Sequence, residues 1–432
     1  MSLARYGTFL QTEAEHPEAL RLVGEFVSGV LGQRVEVRTA LTAEERRLVF
    51  RHLSRADELF KPRRTGERLD WRVSDLGADE RSQLEVPHLD QLVHEFRSRL
   101  PRRGDQIRPC WPENRPFAVC LTHDMDHVTS FVARERWREL GRMRRNSARV
   151  GMQAAALGRA LRGTVADWAR RRLLNCRDRY ADVGVWLKLE ADSGFKSSLF
   201  FFAETVHPWK PGDCNYGFGD RVVFEGCSAT VATMMREIAG RGWDVGVHGS
   251  IASATEPGVL LLQKREIESI IDQPVLTTRQ HYLQYDPCVT PALQAGAGLV
   301  ADGTQGFNDT IGFRAGTSFP YRAWDWQGHS VLPLWEVPLH IQDGPLFRKF
   351  GEAEKCLASC TQCFNHVARV GGCVGLLFHP NHLATDFGLG VYRELLRELQ
   401  LRKAFGGSLR DVATSWHAHV SKVCAAHVLY PA

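Results

Sequence analysis

Short apolar segments that alternate with helical stretches dominate the chain from Phe117 onward. Each segment has the length and the branched or aromatic composition of a strand that is buried on both faces. Strands that alternate with helices in this way predict a parallel sheet or a βα barrel. The strand candidates are Phe117–Leu121, Ser197–Phe202, Asp244–Val247, Val275–Thr278, Gly298–Ala301, Leu334–Pro338 and Val374–Phe378.

Polar residues stand at or just after the carboxyl ends of five of these candidates: Asp124, His248, Arg279, Asp302 and His379. In a βα barrel, the carboxyl ends of the strands form the face that carries the active site. We therefore expect these side chains to lie near one another.

Two acids in the string THDMD, Asp124 and Asp126, are one residue apart at the end of the first strand. Side chains alternate along a strand, so the two carboxylates point the same way if the extended geometry continues. One can hold a divalent metal while the other takes a proton from water, which suits hydrolysis. The alternative is a surface turn rich in Asp after the strand.

The N-terminal 108 residues are predicted to be rich in helix, with helical apolar spacing in Leu20–Leu31 and Leu41–Leu53. The Pro- and Arg-rich stretch Pro101–Pro116 resembles a linker. The catalytic region is predicted over residues 109–432. The chain of 432 residues is 44% hydrophobic and 24% charged, as in ordinary globular proteins. It shows no signal-peptide core and no apolar run of transmembrane length, and its eleven cysteines lack the spacing of a disulfide framework. We expect a cytoplasmic protein.

A basic helical insertion is predicted over about residues 130–185, where many arginines are interleaved with Trp137, Leu161 and Trp168. A solvated helical face is the usual explanation of such a run. The alternative is contact with an anionic surface such as a phosphorylated substrate or lipid headgroups, which would make the protein peripheral to a membrane. Nucleic acid is not expected, because the aromatic residues resemble core-facing side chains rather than an exposed stacking platform.

Four motifs occur in order: THDMD at 122–126, VGVHGS at 245–250, RQHYL at 279–283 and LLFHPNH at 376–382. Together they resemble the motifs of the polysaccharide deacetylase family, of the carbohydrate esterase family 4 type. The chain is most similar to a divergent branch with a THDxD first motif and a long insertion, and the resemblance covers roughly residues 109–420. It implies a distorted (β/α)7-type barrel, a divalent metal that is often zinc, and hydrolysis of acetyl groups on sugars.

The resemblance also implies a role for each matching residue. Asp124 corresponds to the catalytic base and Asp126 to the first metal ligand. His248 corresponds to the first histidine of the second motif. Arg279 corresponds to the arginine that orients the base, and His379 to the general acid. Asp302 stands where a fourth-motif acid is expected, and we assign it to substrate binding.

The second motif departs from the family pattern, because Ala252 occupies the place of its second histidine. His281, two residues after Arg279, is the candidate replacement ligand, since it can point the same way; His379 and His127 are weaker candidates. A cobalt, nickel or other first-row ion is therefore an alternative to zinc. The backbone N–H of Tyr282 is a candidate oxyanion donor.

Two later stretches add candidates with less specific signals. Arg314, in the loop Gly312–Thr317, is available for a substrate carboxylate or phosphate. The strand around Leu334–Pro338 is followed by Asp343, an acid on a loop. Ordinary loop structure explains both stretches equally well.

A different enzyme class is suggested by Cys356, Cys360 and Cys363, whose spacing is that of radical S-adenosylmethionine enzymes. The three lie in Glu352–Val370, which is predicted to be one helix. Positions i, i+4 and i+7 share a helix face, so three cysteines that face the core explain the spacing without an iron–sulfur cluster.

The sequence thus predicts a metal-dependent hydrolase of linear amide C–N bonds, which removes an acetyl or similar acyl group from an N-acetylated sugar or related amide. A small or lipid-linked biosynthetic intermediate is the expected substrate. The alternative is a catalytically inactive deacetylase-like barrel that binds glycans.

Overall fold

A computed structural model describes residues 3–59, 69–100, 111–145, 150–176, 178, 180, 183–205 and 208–425. The predicted boundary between residues 108 and 109 lies outside these residues. None of the helices within the described ranges is both long and apolar enough to cross a lipid bilayer.

The N-terminal region is helical, as predicted. Its second helix ends at Gly32, where a positive φ of 65° suits a residue without a side chain. Its fourth helix starts after Thr42, which forms a reciprocal capping box with Glu45. The helices are α1 (Leu3–Ala14), α2 (Pro17–Leu31), α3 (Val37–Ala40), α4 (Ala43–Leu53), α5 (Ala56–Leu59), α6 (Ala78–Gln83) and α7 (His88–Phe96).

The remainder alternates strands and helices. Its elements are β1 (Ala118–Asp124), α8 (Ala133–Arg145), α9 (Val150–Arg172), α10 (Val183–Asp192), β2 (Ser198–Phe201), β3 (Arg221–Phe224), β4 (Cys227–Thr230), α11 (Val231–Gly240), β5 (Asp244–Gly249), α12 (Val259–Ile271), β6 (Thr277–Gln280), α13 (Thr290–Gly296), β7 (Ala301–Asp302), β8 (Tyr321–Asp325), β9 (Ser330–Glu336), β10 (Ile341–Gln342), α14 (Asp343–Phe350), α15 (Ala353–Val370), β11 (Cys373–Leu377), α16 (Pro380–Leu383), α17 (Asp386–Leu401), β12 (Phe405–Gly407) and α18 (Leu409–Ala425).

Ten strands form one curled sheet in the order β10-β11-β1-β2-β5-β6-β7-β9-β8, with β12 paired to β1. Every pairing in it is parallel except that of β8 with β9. Strands β3 and β4 form a separate hairpin. The predicted distorted (β/α) barrel is confirmed, and all seven strand candidates overlap observed strands. The edge strands β8 and β10, the short β12 and the hairpin were not predicted.

The N-terminal helices and the sheet share a hydrophobic core. Phe50 of α4 packs edge-on against Trp324 of β8, with ring centroids 5.1 Å apart. Gly29 of α2 lies against Trp416 of α18 so closely that a Cβ atom at this position would lie 3.0 Å from the indole. The helix-rich region therefore packs as part of the barrel's outer layer rather than as a detached unit.

The predicted helix at Glu352–Val370 is α15, and its three cysteines are buried against the core. Burial raises the pKa of the Cys363 thiol to about 12, so this thiol is not a ready thiolate ligand. Core packing explains the spacing, as predicted.

The predicted basic insertion contains α8 and α9. These helices follow β1 and precede β2 in the chain, and they pack against each other. Its aromatic residues are a correction to the sequence analysis. Trp137 and Trp168 are exposed rather than core-facing, because α9 is held by the small residues Ala156 and Ala160 and by Asp167. The aromatic residues of the insertion therefore do not exclude nucleic acid.

Candidate metal centre and active site

The carboxyl ends of the parallel strands bring the predicted side chains to one edge of the sheet. Asp124 is the last residue of β1, and His248 is the fifth residue of β5. His281 directly follows β6, and His379 stands two residues beyond β11. Strand alternation fixes their direction at β1: Thr122 and Asp124 both contact Arg279, whereas His123 points the other way and pairs with the buried Glu190.

Asp126, His248 and His281 form a cluster that could hold a metal ion, with one candidate ligand atom from each residue within 4.8 Å of the others. Asp126 Oδ1 lies 3.1 Å from His248 Nε2 and 3.6 Å from His281 Nε2. His248 Nδ1 donates a hydrogen bond to the carbonyl of Arg279 (2.9 Å), which aims Nε2 at Asp126. One carboxylate and two imidazoles suit zinc and neighbouring first-row ions.

The protonation of this cluster also fits a cation site. Burial would raise the pKa of Asp126, but the hydrogen bond from His248 and the charges of His281 and His379 hold that pKa far below its usual range. Burial would lower the pKa of His248, but the carboxylates of Asp124 and Asp126 raise it. A proton on His248 thus compensates negative charge that a divalent ion would also compensate.

His281 contributes the third candidate ligand atom of the cluster, and Ala252 contributes none. Ala252 is buried in a short turn after β5 and offers no ligand atom. The buried Nδ1 of His281 makes no hydrogen bond to the described residues, and it lies 3.7 Å from Asp213 Oδ1. With its proton on Nδ1, His281 would direct an N–H toward that carboxylate and keep Nε2 as the candidate ligand atom, an arrangement common among metal-binding histidines.

Asp124 stands beside the cluster with its charge supported by Arg279. The guanidinium Nη1 lies 3.3 Å from Asp124 Oδ1, and it also donates to Thr122 Oγ1 (2.7 Å). Arg279 Nε donates to the carbonyl of Gly303 (2.9 Å), which fixes the plane of the guanidinium. The second oxygen of Asp124 is 4.0 Å from His248 Nε2, so it is adjacent to the ligand cluster. This arrangement leaves the second oxygen of Asp124 facing the cluster, as a base beside a metal site would.

His379 faces the cluster from the other side. Its Nε2 lies 3.8 Å from Asp126 Oδ2, and its Nδ1 donates to Asp343 Oδ1 (2.8 Å). The backbone N–H of His379 also donates to Asp343. Burial would lower the pKa of His379, but Asp343 and the other carboxylates raise it to about 10. The imidazole therefore carries a proton over the neutral range, which suits a proton donor.

An open cleft of about 210 Å³ lies over Asp126 and His379. Its walls are polar, as a site for a hydroxylated substrate would be. The other residues that line it include His127, Gln342, Asp343, Asn381 and His382.

Tyr282 lies at the cluster, with its ring stacked on His281 at a centroid distance of 4.1 Å. Its φ of 55° lies in the left-handed region, which is unfavourable for a tyrosine. Its carbonyl accepts a hydrogen bond from Asn308 Nδ2 (2.6 Å), which helps to hold this backbone. The oxyanion role of its N–H stays a prediction.

Asp302 and Arg314 are corrections to the predicted substrate contacts. Asp302 is fully buried and accepts a hydrogen bond from Thr304 Oγ1 (2.6 Å), so it presents no surface to a substrate. Arg314 is buried. It donates hydrogen bonds to both carboxylate oxygens of Glu58 (3.0 and 2.8 Å) and to the carbonyl of Gly306 (2.9 Å). Its guanidinium is thus occupied in joining the N-terminal region to the barrel.

Two acids that support the site had no predicted role. Asp343 was noted only as an acid after a strand, and Asp213 stands in a long connection with no motif around it. Asp213 is held by the backbone N–H groups of Lys210 (2.8 Å) and Ile251 (2.9 Å). Its approach to His281 depends on the path of that connection, which no local pattern indicates.

Comparisons with known proteins concern the fold. No protein-family model and no curated protein matches the chain. Among solved structures, the chain is similar to a Mycobacterium smegmatis protein described as a polysaccharide deacetylase, at 16% identity and a TM-score of 0.46, over 71% of this chain and 92% of that one. It is also similar to Puue allantoinase at 12% identity and a TM-score of 0.43, over 74% of this chain and 98% of that one.

A Pseudomonas aeruginosa PAO1 protein described as a polysaccharide deacetylase is similar at 13% identity and a TM-score of 0.43, over 74% of this chain and 98% of that one. At such identities the likeness does not extend to activity. The case for a function rests on the side chains at the strand ends.

Proposed function

We propose that this protein is a metal-dependent hydrolase that removes an acetyl or similar acyl group from an N-acetylated sugar or a related linear amide. The observation that carries the proposal is the convergence of the Asp126–His248–His281 cluster with Asp124 on one side and His379 on the other. The motif resemblance to polysaccharide deacetylases supports the same chemistry.

Asp126, His248 and His281 are the proposed ligands of the ion. Zinc is the first candidate, with cobalt, nickel or another first-row metal as alternatives. A divalent ion supplies Lewis-acid chemistry, because it polarises the carbonyl of the amide and favours ionisation of water.

The remaining groups of the site carry the protons. Asp124 accepts the proton of the attacking water, and Arg279 holds this carboxylate in position through its Nη1. His379 donates a proton from Nε2 to the nitrogen of the leaving amine when the C–N bond breaks. Asp343 holds the imidazole by Nδ1, so that Nε2 is the atom that faces the cleft.

Elemental analysis and acetate release from a panel of N-acetylated sugars test the proposal. Asp126→Ala should lose the metal, and His281→Ala should lower its content. Asp124→Asn should keep the metal and lose turnover. His329→Ala is the matched control. This partly exposed histidine lies between β8 and β9 and pairs with Glu13, so its removal should change neither the metal content nor the acetate release.

Two outcomes would overturn the assignment. Full activity in Asp124→Asn would remove Asp124 as the base. A wild-type protein that binds no metal and releases no acetate after addition of zinc, cobalt or nickel would favour the alternative, an inactive barrel that binds glycans.

A further inference from the structure

The α8–α9 hairpin stands on the rim of the candidate site. His127, next to the proposed ligand Asp126, pairs through Nδ1 with Glu135 in the first turn of α8 (2.7 Å). Arg142, near the end of α8, donates to the carbonyl of Cys214 (2.9 Å), whose sulfur is 4.0 Å from His281 Nε2. Both ends of α8 are thus fixed to segments that carry site residues.

The outer face of the hairpin is apolar and exposed. Leu161, Val165 and Trp168 follow one another at i, i+4 and i+7 along α9, and each is between 51% and 67% exposed. Trp137 of α8 is 44% exposed and donates to Thr164 Oγ1 (3.0 Å), one turn from both Leu161 and Trp168. Four large apolar side chains therefore form one continuous surface, which is unusual for a helix in contact with water alone.

The same hairpin carries an excess of positive charge, even though Asp220 pairs with Arg134 and Arg138. Residues 133–172 contain twelve arginines and three acids, Glu135, Glu139 and Asp167. Each acid is buried and has a partner. Glu135 pairs with His127, and Glu139 pairs with Arg136 and Arg159. Asp167 accepts a hydrogen bond from the backbone N–H of Ala133. Four exposed arginines of the hairpin form no ion pair with any residue in the described part of the chain: Arg144, Arg145, Arg162 and Arg172.

From these two properties we infer that the α8–α9 hairpin docks on an anionic lipid surface. An exposed apolar stripe with tryptophan, flanked by arginines and free of exposed acids, matches the interface between lipid headgroups and acyl chains. Nucleic acid complements the charge but not Leu161 and Val165, because aliphatic side chains are no stacking platform for bases. A second copy of the hairpin complements the apolar stripe but repeats its positive charge.

Docking through this face would hold the rim of the candidate site near the bilayer. Combined with the proposed function, on which this one consequence rests, it favours an amide substrate anchored to a lipid over a freely diffusing one. Membrane binding itself does not depend on hydrolysis and is tested without it.

Flotation with vesicles measures the binding directly. The full-length protein should float with vesicles of phosphatidylglycerol and phosphatidylcholine, much less with phosphatidylcholine alone, and less at high salt. Leu161→Gln/Val165→Gln/Trp168→Gln should lower the bound-to-free ratio at least tenfold. Arg144→Gln/Arg145→Gln/Arg162→Gln/Arg172→Gln should abolish the preference for anionic vesicles. Leu262→Gln/Leu401→Gln is the matched control, since these similarly exposed leucines lie on α12 and at the end of α17, and it should bind as the wild type does.

The inference is overturned if the wild type does not float with anionic vesicles, or if the triple apolar variant with an unchanged circular dichroism spectrum floats equally well. A wild-type dimer that becomes monomeric in the apolar variant, without vesicle binding, would assign the face to a second copy. Binding of DNA or RNA in place of vesicles would assign it to nucleic acid.

Discussion

Glu58→Gln tests whether the N-terminal helices and the barrel are held together by a buried charge cluster. The Glu58 carboxylate is 2% exposed and lies between two guanidinium groups. Arg314 from the barrel donates to both of its oxygens, and Arg55 from the N-terminal region donates through Nε (3.0 Å) and Nη2. The substitution keeps the shape of the side chain and leaves two buried cations without their anion.

Two physical arguments give the same magnitude. Burial would raise the pKa of Glu58, but the charges of Arg314 and Arg55 lower it from 4.5 to about 2. That depression corresponds to about 3 kcal/mol of stability, and removal of one partner from a buried ion pair costs a similar amount, about 3–5 kcal/mol. We therefore expect the free energy of unfolding to fall by about 3 kcal/mol at pH 7.

Urea unfolding followed by circular dichroism measures this change. The matched control is Glu44→Gln in α4, whose side chain is exposed and 3.9 Å from Arg47, and which should change stability by less than about 0.5 kcal/mol. Because the pKa of Glu58 is depressed, its contribution is present above about pH 4.5 and is lost as the pH falls through 2. The difference between wild type and Glu58→Gln should shrink over that window. A loss below about 1 kcal/mol at pH 7, or a separate early transition of the N-terminal region in the wild type, would show that this charge cluster does not hold the two parts together.

Three further predictions concern other groups. Asp343→Asn should keep the metal content and lower the pKa of His379 from about 10, so that the alkaline limb of the pH–rate profile for acetate release moves to lower pH; an unmoved limb would exclude His379 as the acid. Glu336→Gln should flatten the pH dependence of stability in urea unfolding: burial and the neighbouring Asp302 raise the pKa of Glu336, so the wild type loses stability as the pH rises above the ordinary glutamate range, whereas the uncharged amide does not; an equally steep loss in the variant would contradict this. Cys360→Ala should cost about 1 kcal/mol of stability and leave iron and zinc content unchanged, whereas loss of bound iron would revive the radical-enzyme alternative.

Local patterns predicted the strands, their order along the chain and the residues at their ends. An apolar run of strand length is a property of neighbouring residues, and so is the alternation that sends Asp124 toward the site and His123 away from it. Since parallel strands expose their carboxyl ends at one edge, the sequence alone also predicted that Asp126, His248 and His281 approach one another.

The groups that support or occupy these side chains come from distant parts of the chain, and the packing of the fold determines which they are. Arg314 lies in a loop that resembles a substrate grip, yet it meets Glu58, which is 256 residues away in the chain. Asp343 reaches His379, and Asp213 reaches His281, because of the paths of two connections. Trp137 and Trp168 are exposed because small residues, rather than these indoles, pack α9 against the molecule. The charge of a residue is local information, but its partner and its contact with water depend on which elements pack together, and that was settled by the whole fold.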